Sequence, residues 1–182
     1  MVTHISETAF LGLVLSSIEA FKKECYGLLL GYRTGEKIVV DYAIPYQTAE
    51  RGHTMVVPNW WRDQRVRSCL QFLSHLELLG TFHSHASWGT LRARAVLSEW
   101  DAQTIDAGNV EIIIAVNDVL RRTRWRNIDH GRQLTGCLSD YSLTLAAYYR
   151  DGNRRRPFRT QIRCPYALGF QAHEIKNGLK GQ

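Results

Sequence analysis

The chain has 182 residues, of which 45% are apolar and 22% charged. That balance fits one domain with a sizeable core and excludes a wholly disordered chain. The net charge of +6 is uneven. Eleven arginines against three aspartates between Arg121 and Arg163 give that segment +8 and leave the rest slightly acidic. A basic C-terminal third could meet nucleic acid or an acidic protein. Its arginines are not set in an identifiable nucleic-acid motif, so solvated arginines on edge strands and loops are the plainer reading. No run of about 18 apolar residues suggests a membrane span. "MVTHISETAF" lacks the basic start and apolar run of a secretory signal. Cys25, Cys69, Cys137 and Cys164 form no CxxC pair, which argues against a cysteine zinc site and fits a reducing cytoplasm.

In chain order, Ser6 is an N-cap and apolar spacing predicts a helix over roughly 6–23. "CYGLLLGYR" and "EKIVVDYAIPY" are strands joined by the turn "RTGE", hence a hairpin. "HTMVV" suggests a further short strand, and Pro58 opens an amphipathic helix, "PNWWRDQRVRSCLQFLSH". "LELLGTFHSHA" is a strand, "SEWDAQTIDAG" a helix from Ser98 to Gly108, and "NVEIIIAVND" a buried strand. Further strands follow, turning at His130–Gly131 and Asp151–Gly152, although "SLTLAAYYR" also suits a helix. The alternation predicts an α/β fold, with helices flanking a curved, mixed sheet.

Alternate residues of a strand share a face, so His83 and His85 point together while Ser84 points away. Taken alone, this pair suits an ordinary strand exit. Ser98 and Asp101 share a helix face and alone suit a capping box. Glu24 alone could end the first helix. His4, His53, His75, His130 and His173 have no partner at ligand spacing. Core packing is the default for Trp60, Trp61, Trp100 and Trp125; Trp88 is the tryptophan expected to be exposed beside a cleft.

Together, the glutamate of "ECYGLLLG", the pair His83-Ser84-His85 and Ser98-x-x-Asp101 resemble the JAMM motif of MPN-domain (JAB) metallopeptidases. The matching order runs from about Ser6 to Asp118, and "CPYALGF" is similar to bacterial stand-alone members. The resemblance implies a single MPN-like domain over 1–182, with its core over about 6–170. It implies one Zn2+ per chain, held by His83, His85 and Asp101. Glu24 would be the general base and then the general acid, and Ser98 the donor to the oxyanion. It implies a hydrolase that cuts peptide or isopeptide bonds after the C-terminal glycine of a ubiquitin-like protein, by deconjugation or precursor processing. E1-like and E2-like enzymes would be its pathway partners, as in antiphage conjugation systems. Processing of a sulfur-carrier protein and a non-catalytic MPN scaffold are the alternatives within the family. Outside it, a non-haem iron oxygenase also uses two histidines and a carboxylate, but sits on a β-barrel that the expected number of helices argues against.

Two departures stand out. Ala86 follows the histidine pair where the family has proline, and residues 86–100 make a longer gap before Asp101. The longer gap is accounted for by a short insertion within "SWGTLRARAV", a surface loop that leaves the ligands in place.

Overall fold

Packing begins with the apolar residues of a hairpin. In the computed structural model, which describes residues 1–51, 56–57, 59–154 and 156–169, β2 (Tyr26–Thr34) and β3 (Lys37–Pro45) form the hairpin predicted around "RTGE". β1 (Val2–Ile5) adds parallel to the outer edge of β3. α1 (Glu7–Glu19) follows it, capped by the Ser6 hydroxyl, which accepts from the Ala9 amide at 3.1 Å. The helix sets Phe10, Leu13 and Val14 into the main core. Two short paired strands, β4 (Glu50–Arg51) and β5 (Val56–Val57), lead to α2 (Trp60–Leu70). His53 and most of the expected "HTMVV" strand lie outside the described residues, as do Pro58, Arg155 and the segment 170–182, which holds His173.

β6 (Glu77–Ala86) crosses antiparallel to β2 and parallel to β7 (Val110–Asp118). Between them lies the short α3 (Glu99–Thr104). Gly80 sits at φ +147 where β6 meets β7, and a Cβ there would collide with the Val110 carbonyl, so this close parallel pairing needs glycine. The second half of the chain is almost all strand: β8 (Arg126–Ile128), β9 (Gln133–Leu138), β10 (Tyr141–Tyr149), β11 (Phe158–Arg159) and β12 (Gln161–Arg163). A last turn, α4 (Pro165–Gly169), follows.

The main sheet has ten strands, in the order β12-β1-β3-β2-β6-β7-β10-β9-β8, with β11 on β10. It curls until its ends approach. The segment β11–β12 pairs with β10 at one end and with β1 at the other. Thr160, between them, donates its amide to Ala147 of β10, and its hydroxyl bonds that of Thr3 in β1 at 2.7 Å.

The expected α/β layering, helices flanking a curved sheet, is therefore overturned. The fold is a nearly closed mixed β-sheet barrel with a few short helices. The reason is visible in the burial. α1 supplies six buried residues, whereas α2 and α3 bury none, so neither covers the sheet as a helical layer must. "SLTLAAYYR" is strand β10, paired over its length with β7. None of the described helices is long and apolar enough to cross a membrane.

The two faces of β6 and β7 separate core from site. Phe82, Ile112 and Ile114 face α1 and the main core. Ile113 and Ala115 face a smaller cluster with Ala95, Ile105, Ala146 and Tyr148. His83 and His85 share that second face.

Candidate metal centre

His83 is 7% exposed, on a strand paired along both sides. Its Nδ1–H donates to Glu111 Oε1 at 2.7 Å. The other oxygen of Glu111 accepts from the Thr81 hydroxyl. Thr81 and Glu111 are register partners across the parallel pair, so the strand pairing alone places this carboxylate beside the histidine two residues on. His85 Nδ1–H donates to the Arg94 carbonyl at 2.9 Å. Both acceptors lack a proton, so each fixes its ring with the hydrogen on Nδ1.

That leaves two Nε2 atoms facing each other at 3.1 Å. Asp101 Oδ2 stands 3.7 Å from His83 Nε2. One ligand atom from each of the three residues lies within 4.8 Å of the others. This cluster can hold a metal ion. Two donors at zinc bond lengths and a tetrahedral angle would stand about 3.3 Å apart, close to the observed separation. Burial opposes the charge on His83, but the nearby Asp101 carboxylate and the hydrogen bond to Glu111 outweigh it and push its pKa to about 10. His85 is held below its ordinary value by burial and by the charge on His83. Burial acts to raise the Asp101 pKa, but the neighbouring His83 and its hydrogen bonds with Ser98 hold it well below the carboxylate range.

Asp101 is positioned by its own helix. The Ser98 amide donates to Asp101 Oδ2 at 2.8 Å, and the Ser98 hydroxyl accepts from the Asp101 amide at 3.1 Å. This is a complete capping box at the start of α3. The capping box does not exclude Asp101 from the cluster, since its Oδ2 also stands 3.7 Å from His83 Nε2. α3 ends at Thr104, before the expected Gly108. Arg150 holds that end by donating to the Ile105 carbonyl at 2.8 Å.

Glu24 does not end α1, which stops at Glu19. It lies in the link to β2, and Ser84 fixes that link from the core face. The Cys25 amide donates to the Ser84 hydroxyl at 2.9 Å, and the Ser84 amide to the Cys25 carbonyl at 3.0 Å. Gly27 completes the approach, since a Cβ there would strike the Phe82 ring. Glu24 is 6% exposed, and burial pushes its pKa up to about 7, against the lowering effect of His83.

Glu24, Ser98, His83, His85 and Asp101 all line one open cleft of about 1070 Å³. Sequence reasoning missed Glu111, Thr81 and the Arg94 carbonyl. The only sign of Glu111 was a single acid in the apolar run "NVEIIIAVND". The loop was also misjudged. Only its tip is a surface excursion, closed by amide-to-carbonyl bonds between Trp88 and Leu91 in both directions. Residues 93–95 are built in: Ala93 bonds the Asn117 side chain, Arg94 holds His85, and buried Ala95 accepts from the Tyr148 hydroxyl at 3.0 Å. Trp88 is exposed as expected, but Trp100 is the tryptophan that lines the cleft.

No protein-family model matches the chain, and no curated protein matches it. Among solved structures, it is similar to the solution structure of protein DSY2949 from Desulfitobacterium hafniense. The two are 15% identical, with 90% of this chain and 92% of that one covered and a TM-score of 0.62. That likeness shows a shared fold. AF2198, a JAB1/MPN domain protein from Archaeoglobus fulgidus, matches with 19% identity over 60% of this chain and 75% of that one. Its TM-score of 0.36 does not establish a common fold.

Proposed function

We propose that this chain is a zinc-dependent JAMM-type peptidase that cuts the amide or isopeptide bond after the C-terminal glycine of a ubiquitin-like protein. The observation that carries the reading is one cleft holding three convergent ligand atoms, from His83, His85 and Asp101, with the buried carboxyl of Glu24 beside them. Three protein ligands with an open side are what a catalytic zinc needs. When bound, the cation would supply a Lewis acid that polarises the scissile carbonyl and acidifies the attacking water. Glu24, poised near neutrality by burial, takes the water's proton and returns one to the leaving amine. The Ser98 hydroxyl, beside Asp101 at the start of α3, donates to the developing oxyanion. With the cation on their Nε2 atoms, His83 and His85 would be neutral ligands, their Nδ1 protons held by Glu111 and the Arg94 carbonyl.

The same donor set is that of a non-haem iron oxygenase, and the nearly closed sheet removes the helix count that spoke against one. Glu24 separates the two readings, because hydrolysis needs a buried base and ligation of iron by three residues does not. The test is elemental analysis of the purified chain together with cleavage of a glycine-tailed ubiquitin-like fusion. Wild type should hold stoichiometric zinc and cleave. Glu24→Gln should keep zinc and lose cleavage, and His85→Ala should lose both. Wild-type cleavage by Glu24→Gln would remove Glu24 as the base; zinc retained in full by His85→Ala would remove the ligand assignment.

A further inference from the structure

Arg67 stands on α2, a helix with no buried side chain, and lines the cleft wall. It is held there by a relay. Its Nε donates to Asp63 Oδ2 at 2.7 Å, and the Tyr46 hydroxyl donates to Asp63 Oδ1 at 2.6 Å. The Tyr46 ring packs against Tyr26, centroids 5.7 Å apart, and Tyr26 is the register partner of His83. The guanidinium is thus tied back to the strand beside the histidines. Asp63 uses only its Nε edge, and no described carboxylate takes its η nitrogens. Arg92 and Arg94 also line the cleft, and neither is in an ion pair among the described residues. Of the cleft carboxylates, Glu111 is engaged by His83 and Thr81 and Asp101 by Ser98 and His83, and neither Glu24 nor Asp106 forms an ion pair with an arginine among the described residues.

A guanidinium with one edge braced and the other free is preorganised for a second, bidentate carboxylate. We infer that Arg67 is a positioning residue that pins a carboxylate of the substrate at the cleft wall, so that the enzyme prefers a tail with an acidic group near the cut. The inference rests on the peptidase reading and names the substrate chemistry for that site. The carboxylate has two possible sources, an Asp or Glu side chain or a free C-terminus.

The test uses fluorescent eight-residue peptides with Gly-Gly at the fifth and sixth positions, so that the bond after the second glycine can be cut and a dipeptide amine leaves. Asp or Asn precedes the glycines, and the C-terminus is free or amidated. Binding is read by anisotropy on the zinc-loaded full-length Glu24→Gln chain, and cleavage by mass spectrometry on wild type. Replacing the recognised carboxylate by an amide should weaken binding about tenfold or more. The Asp-to-Asn arm responds if the side chain is the source, and the amidation arm if the terminus is. Adding Arg67→Gln should abolish the difference, and Arg67→Lys should keep part of it, because it retains the charge without the fork. If Arg67→Gln does not fold, Arg67→Lys decides: full discrimination in it overturns the clamp. Equal binding of all four peptides, or full discrimination by Arg67→Gln, also overturns it. Cleavage without carboxylate preference would leave the peptidase reading standing and remove the clamp. Carboxylate-dependent binding without cleavage would do the reverse.

Discussion

Glu111 is a charged residue with isoleucine or valine on either side, 6% exposed, and its burial is tolerable only because both oxygens are bonded. Its work is on His83, since an imidazole whose Nδ1–H meets a carboxylate is a stronger donor at Nε2. Glu111→Gln should therefore weaken metal affinity about 10- to 100-fold with the fold intact. Competition against a chelator measures this, and an unchanged affinity would remove the carboxylate from the metal's control. The same geometry fixes a pH dependence. With His83 raised to about 10 in the metal-free protein, a proton occupies the site at pH 7, and metal binding must expel it. Affinity should rise about tenfold per pH unit between 7 and 9 and flatten towards 10. Calorimetry in buffers of different ionisation enthalpy should count about one proton released per ion; none released would contradict a proton held between the facing Nε2 atoms. The candidate ligands were legible in the sequence only as a set: His-x-His and Ser-x-x-Asp each have an ordinary reading alone and point to a metal only in order with Glu24. Glu111 could not, because its partnership depends on strand register, and the Arg94 carbonyl is backbone with no sequence sign at all.

α3 is six residues long, too short to form alone. It exists because of its capping box, the burial of Ile105 and the Arg150 tether. Cap and ligand are one structure here, since Asp101 is both the third residue of the box and a donor of the cluster. Ser98→Ala should cost about 1 kcal/mol of local order. It should weaken metal binding about fivefold, and Ser98→Thr should restore it. A turnover defect that persists at saturating metal would assign the hydroxyl a second role at the oxyanion. If metal affinity were unchanged, Asp101 would be held by something other than its helix. The helical periodicity of α2 was legible, but its apolar face was misread as a core face. Trp61 is 73% exposed, and the tether through Tyr46, Asp63 and Arg67 takes the place of packing.

At the scale of the molecule, the helices predicted from sequence exist, but the layering inferred from them does not. Periodicity reports which face of an element is apolar, not how far a sheet will curl. The closing contacts, Thr3 with Thr160 and β11 with β10, join residues far apart in the chain and have no local signature. Curling leaves one face of β6 and β7 at the cleft, which is also lined by Arg67 of α2 and by Arg92, Ala93, Arg94 and Val96. An extended tail crossing that floor must bring its backbone close to the donor cluster, which glycine permits and a β-branched residue does not. For the proposed substrate, changing the residue before the cut from Gly to Val should slow cleavage at least tenfold, about 1.4 kcal/mol of transition-state stabilisation. The loop can be tested in the same assay because its two parts differ in attachment. Deleting the tip, Trp88 to Leu91, should spare the metal and weaken substrate selection, since the tip is closed by its own backbone bonds. A deletion that removes Arg94 should lose metal, because it takes away the carbonyl that orients His85. Equal rates on the Gly and Val substrates would contradict a tail lying in the cleft, and loss of metal on removing the tip alone would mean that the tip sets the position of Asp101.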